Sequence, residues 1–187
     1  MGEAIKRSII IILLIVTAIG LGAIFDTVLD NAEKSKYPMH YSEYVEKYSE
    51  MYDVPKDVVY AIIKTESGFD PDATSSKGAR GLMQLMPNTF EWICGKAGIP
   101  YSADKITDPE TNIQCGVYYI SFCYKEFLIW QTTFAAYNAG HGNVRQWLDD
   151  DEISKNGHLI NIPFPETEAY VKKVEKNREV YLQILAE

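Results

Sequence analysis

The chain has no dense run of Lys or Arg, and its formal net charge is −8. Nucleic acid is thereby excluded as a partner, because phosphate binding needs clustered cations that displace counterions. Histidine is scarce, and His40, His141 and His158 are scattered without metal-ligand spacing. The acidic stretch Asp149-Asp150-Asp151-Glu152 lacks the spaced oxygens and the glycine of a calcium loop and reads as a solvated loop. No cofactor and no metal are expected. Only three cysteines occur, Cys94, Cys115 and Cys123, so at least one thiol stays unpaired in any compartment. Cys115 and Cys123 fall on one expected helix, about 12 Å apart, too far for a bridge. The plain reading of all three is small buried hydrophobes. No long period-two alternation is present, which argues against a sheet, and there is no internal repeat or low-complexity segment.

What is present suits one well-packed domain: 187 residues, 47% hydrophobic and 24% charged. Lys6 and Arg7 precede an uncharged run from Ile9 to Phe25, rich in Ile and Leu. As a helix the run would reach roughly 26 Å and nearly span a bilayer. Asp26, Asp30 and Glu33 follow it, which places the N-terminus in the cytoplasm and the rest of the chain outside. Residues 1–29 are read as a transmembrane signal anchor, 30–40 as a short tether and 41–187 as the folded domain. The alternative is a signal peptide cleaved after Gly22 or Ala23, releasing a secreted protein.

The folded domain reads as all-α. Tyr41, Tyr44, Tyr48 and Tyr52 recur at helical spacing over a first helix, Ser42 to Tyr52, and mark a core face. Pro55 suits the first position of a second helix, which runs through Val58, Val59, Ile62 and Ile63 to Glu66 and stops at Gly68. A Gly-, Ser- and Asp-rich loop spans Phe69 to Gly81. Pro87 opens the next helix, and Asp108 with Pro109 caps a long one reaching Phe127. Further helices are expected from Ile129 to Ala139 and from Glu166 to Leu185.

Glu66 is the residue that asks for an explanation. Ile62 and Ile63 lie one turn before it, so its carboxyl falls on the apolar face of its helix. Burial raises a carboxyl pKa, and a general acid needs a proton held near neutral pH. A glutamate that merely snorkels from a last helical turn would look the same from this helix alone.

Four segments decide between these readings: Glu66-Ser67-Gly68-Phe69, Gly78-Ala79-Arg80-Gly81-Leu82-Met83-Gln84-Leu85-Met86-Pro87, Ala135-Ala136-Tyr137-Asn138-Ala139-Gly140, and Pro163-Phe164-Pro165-Glu166-Thr167-Glu168-Ala169-Tyr170-Val171. In this order the chain resembles the soluble-lytic-transglycosylase-type murein transglycosylases over roughly Tyr41 to Glu187. The run from Gly81 to Pro87, together with the other segments, makes the resemblance specific. It implies a lysozyme-like (goose-type) helical fold and peptidoglycan glycan strands as substrate. It also implies cleavage between N-acetylmuramic acid and N-acetylglucosamine without water, the muramyl C6 hydroxyl attacking C1 to leave a 1,6-anhydro ring. Glu66 would serve twice, as acid and then as base, so that the usual second carboxylate is not demanded.

The other matched positions carry a functional and a structural reading each. Ser67 can bind substrate or orient the Glu66 carboxyl, or simply end the helix. Met83 can form an apolar wall, with core packing the stronger reading. Gln84, polar between Met83 and Leu85, favours contact with sugar acetamido or hydroxyl groups. Tyr137 and Asn138 precede a helix-ending glycine where side chains project into a groove, and the phenol can stack on a sugar or position Glu66. Glu166 lines the cleft by analogy, or is a first-turn acid favoured by the helix dipole. The chain departs from the family at His141, read as a cleft-edge surface residue. A hydrolytic muramidase on the same fold is the nearest rival, and a non-catalytic wall-binding protein a remoter one. A cell-wall or secretion-machinery protein is a possible partner, its identity unknown.

Overall fold

The computed structural model describes residues 35–186, together with positions 2, 17, 20–22 and 25. Apart from those few positions, the anchor expected over residues 1–29 and the first part of the tether lie outside the described residues. Among the described residues no helix is long and apolar enough to cross a membrane. The chain divides into two compact units, Met1–Pro38 and Met39–Glu187, and the second carries everything described below.

That unit is built from helices. α1 spans Ser42–Tyr52 and α2 spans Lys56–Glu66. Pro55 stands at the N-cap of α2, one position earlier than its missing N–H would require, with an extended ψ of 139°. α3, Pro87–Ala97, does begin on its proline, and Gly98 ends it in the left-handed conformation at φ 68°. A 3-10 turn over Ala103–Thr107 leads to α4, Pro109–Phe127, where the Asp108 carboxylate accepts the Thr111 N–H at 3.2 Å as a cap. α5 covers Trp130–Ala139 and α7 covers Pro165–Leu185.

Two elements lie beyond the sequence reading. α6, His141–Leu148, starts directly after Gly140, whose φ of 88° and ψ of 136° turn the chain in a single residue. A glycine that ends one helix here also launches the next. The antiparallel strands β1, Ser154–Lys155, and β2, His158–Leu159, flank Asn156-Gly157, both at positive φ (54° and 78°). This is an Asn-Gly hairpin turn on strands of two residues, too short to register as alternation.

Packing follows the apolar stripes. α2 lies along α7, α1 and α5 pack on α4, and α5 also meets α7. Val58, Val59, Ile62 and Ile63 of α2 are fully or almost fully buried, as are Val171, Val174 and Tyr181 of α7. Tyr60 stacks on Tyr181 at 5.3 Å, and Arg178 of α7 donates to the buried Asp57 carboxylate at 2.7 Å. Removing the half-buried Arg178 would leave the buried Asp57 charge uncompensated. The α2–α7 seam is therefore fixed in register, and Glu66 sits at its end. Of the tyrosine stripe, Tyr48 is buried and bonds Glu110 of α4, while Tyr41, Tyr44 and Tyr52 are half-buried.

Candidate active site

The site grows from the loop that links α2 to α3. After Glu66 the backbone turns through Gly68 (φ 61°) and Phe69 (φ 75°), and the bridges Thr74 to Arg80 and Arg80 to Leu85 fold the loop on itself. Asn112 of α4, fully buried, holds it. Its Oδ1 accepts the Met83 N–H at 2.7 Å, and its Nδ2 donates to the Ile106 carbonyl at 2.6 Å and the Arg80 carbonyl at 3.2 Å. Gly81, at φ 80°, leaves room for that amide, since a Cβ there would meet the Ile106 carbonyl at 2.8 Å.

Met83 is gripped at three points. Its N–H goes to Asn112, its carbonyl accepts the Tyr137 hydroxyl at 2.8 Å, and its side chain fills the space over Gly116, where a Cβ would meet Met83 Cε at 2.8 Å. The Ser67 hydroxyl donates to the adjacent Leu82 carbonyl at 2.8 Å and accepts the Phe69 N–H at 3.1 Å. The Gln84 Nε2 group donates to the Ala73 and Gly81 carbonyls, both at 3.0 Å. Much of the conspicuous polar chemistry in the loop is thus spent on shaping its own backbone.

The loop forms one wall of a cleft of about 520 Å³. Glu66, Gln84, Tyr137, Asn138 and Glu166 line it, whereas Met83, with no exposed surface, and Ser67 do not. Asn138 comes from the last turn of α5, its Oδ1 accepting the Thr167 hydroxyl of α7 at 2.7 Å. Glu166 forms an ion pair with Lys77 of the loop at 2.6 Å, with both side chains roughly two-thirds exposed (68% and 70%). Sequence reasoning passed over Ser75, Ser76, Thr89 and Tyr119, which also line the cleft. Tyr119 reaches it from the middle of α4, a position whose only sequence signal is that of a core aromatic.

The Glu66 carboxyl is pushed up to about 7, chiefly by burial, with the Tyr170 hydroxyl and the Lys173 ammonium drawing it partly back. Tyr170 was also missed, although it lies within the quoted Pro163 to Val171 segment, because its spacing to Val171 and Val174 is that of a core face. Its hydroxyl is buried and meets no partner in hydrogen-bond geometry, yet lies close enough to Glu66 to favour the carboxylate. Burial and the nearby Glu66 charge hold Tyr137 and Tyr170 well above the usual phenol range, so both keep their protons. His141, expected at the surface of the cleft edge, is half-buried instead. As the first residue of α6 it stacks on Trp92 at 6.0 Å, edge-on to Phe122, with Nδ1 3.5 Å from the Tyr119 hydroxyl.

The sequence pattern of the Transglycosylase SLT domain matches residues 43–160. The chain belongs to that family. It is 37% identical over 148 residues to the soluble lytic murein transglycosylase of Escherichia coli K12, covering 75% of this chain and 23% of that protein. It is 32% identical over 173 residues to the membrane-bound lytic murein transglycosylase C of Edwardsiella ictaluri, covering 77% and 47%. Among solved structures, the 70-kDa soluble lytic transglycosylase of Escherichia coli superposes with a TM-score of 0.74 at 33% identity, over 81% of this chain and 25% of that one. A complex of the 70-kDa soluble lytic transglycosylase with bulgecin A gives a TM-score of 0.75 at 35% identity, with 81% and 25% covered. The chain therefore spans under half the length of these relatives. The SLT match ends before α7, which brings Glu166 and Tyr170, but the structural likeness extends over four-fifths of the chain.

Proposed function

We propose that this SLT domain is a peptidoglycan lytic transglycosylase that cleaves the bond between N-acetylmuramic acid and N-acetylglucosamine and leaves 1,6-anhydro-muramyl ends. The observation that carries this is the Glu66 carboxyl, set in the cleft with a pKa of about 7. Half protonated near neutral pH, it donates its proton to the glycosidic oxygen as the C1–O bond breaks. As carboxylate it then accepts the proton of the muramyl C6 hydroxyl, which closes on C1. The Tyr170 hydroxyl and Lys173 stabilise the charge that appears between the two steps. Among the described residues lining the cleft the one other acid is Glu166, and Lys77 neutralises it, which favours a single carboxyl acting twice over a two-carboxylate arrangement. With its Nε2 engaged by the loop, Gln84 offers its Oε1 to a sugar acetamido N–H, Asn138 offers its Nδ2 to an acetamido carbonyl, and the Tyr137 phenol steadies the wall between them.

The relatives support the substrate, since their names place them on murein, and one is membrane-bound. For this chain the uncharged run from Ile9 to Phe25 supports an N-terminal anchor that carries the domain outside the membrane. Glu66→Gln is the test. Turbidity clearing of purified murein falls by about a hundredfold or more, while glycan binding and the helical dichroism persist. A variant that clears murein at the wild-type rate would end the proposal. The mass of the products separates the hydrolytic rival, because anhydro products lack one water.

A further inference from the structure

We propose that Cys94 and Cys115 form a disulfide that staples α3 to α4 behind the wall of the cleft. The two Sγ atoms lie 3.9 Å apart, both side chains are buried, and their helices pack against each other. A disulfide needs about 2 Å between the sulfurs, so closure of the two free thiols brings them about 2 Å nearer than they stand here. Cys123 is poorly placed to compete. It lies two turns beyond Cys115 on the same helix, about 12 Å along the axis, with its thiol turned to Tyr119. The staple has a structural purpose that neither thiol has alone. Gly116, next to Cys115, is the seat of the Met83 side chain, and Met83 is where Asn112 and Tyr137 grip the loop. A bond from α3 to this point of α4 braces both ends of the Gly81 to Pro87 run.

The chemistry is thiol–disulfide exchange. One cysteine thiolate attacks the disulfide of an oxidised dithiol protein, or of oxidised glutathione, to give a mixed disulfide. The second thiolate displaces the partner, and the two cysteines have then lost two protons and two electrons to it. In the folded chain burial pushes both thiols above their usual range and excludes the oxidant. The exchange therefore belongs to the folding chain, before α3 closes on α4, and the finished bond is sheltered from reductants. Only the supply of oxidant rests on the extracytoplasmic placement proposed above; the pairing does not.

The full chain in detergent is refolded from denaturant in mixed oxidised and reduced glutathione, denatured again, alkylated with iodoacetamide and digested. The expected result is one alkylated cysteine, Cys123, a linked pair of peptides containing Cys94 and Cys115, and a melting point above that of protein refolded with reductant. Cys123→Ala keeps the bridge and the gain with no alkylated cysteine, whereas Cys94→Ala shows neither the bridge nor the gain. Three alkylated cysteines in protein with native dichroism and a native melting transition would overturn the proposal, as would a bridge that includes Cys123. Thiol counting involves no murein, so loss of wall cleavage and loss of the staple are read separately.

Discussion

At the residue scale the behaviour of Glu66 with pH is the sharpest consequence of its surroundings. Its folded pKa of about 7 lies above the ordinary 4.5. The stability it contributes is therefore intact below about 4.5 and lost as pH climbs through about 7, where the folded state carries a buried charge. Glu66→Gln escapes that loss, and its stability advantage over wild type grows between pH 4.5 and 8 to about 3 kcal/mol. An advantage that stays flat across that range would show the carboxyl is not perturbed. Tyr170→Phe removes a buried hydroxyl that meets no partner in hydrogen-bond geometry, so at acid pH, where Glu66 is neutral, its melting point holds or rises. It also removes a group that favours the carboxylate, so the basic limb of the pH–rate profile moves up while the rate drops about tenfold or more. A fallen melting point with an unmoved limb would instead make Tyr170 a packing residue. The sequence pointed to Glu66 because one carboxylate among isoleucines is conspicuous. It gave no such sign for Tyr170, because a tyrosine on a helix's apolar face looks the same whether its hydroxyl faces a void or a buried carboxyl.

At the scale of elements, the loop between α2 and α3 depends on α4 more than on itself. Asn112→Ala removes three hydrogen bonds and strands the Met83 N–H in the interior, which costs about 2 to 4 kcal/mol. Thermal melting measures the cost, and hydrogen exchange at the Met83 amide, fast in the variant and slow in wild type, locates it. Unchanged protection there would mean the loop is held from elsewhere. The long helices were legible because proline, aspartate and glycine punctuate them: Pro87 and Asp108-Pro109 at the starts, Gly140 at an end. The grip of Asn112 on the loop was not, because a side chain reaching 29 residues back along the chain leaves no local pattern. The same holds for Gln84 and Ser67, whose polar groups announce binding in the sequence and turn out to bond neighbouring backbone.

At the scale of the whole molecule, Met39–Glu187 forms a compact unit of its own. That stretch alone is expected to melt at the same temperature as the full chain and to clear murein at a similar rate, while losing its association with lipid vesicles. A large drop in melting point would show that the preceding residues contribute to the fold. The tie between Lys77 and Glu166 at the edge of the groove has a further consequence, one of traffic. An ion pair this exposed is worth less than about 1 kcal/mol, so at least about one molecule in six has it broken at any instant. If the proposed function holds, a glycan strand arriving sideways meets a tie that thermal motion opens on its own, and a rise in ionic strength, by weakening the pair, lengthens the interval in which it stands open.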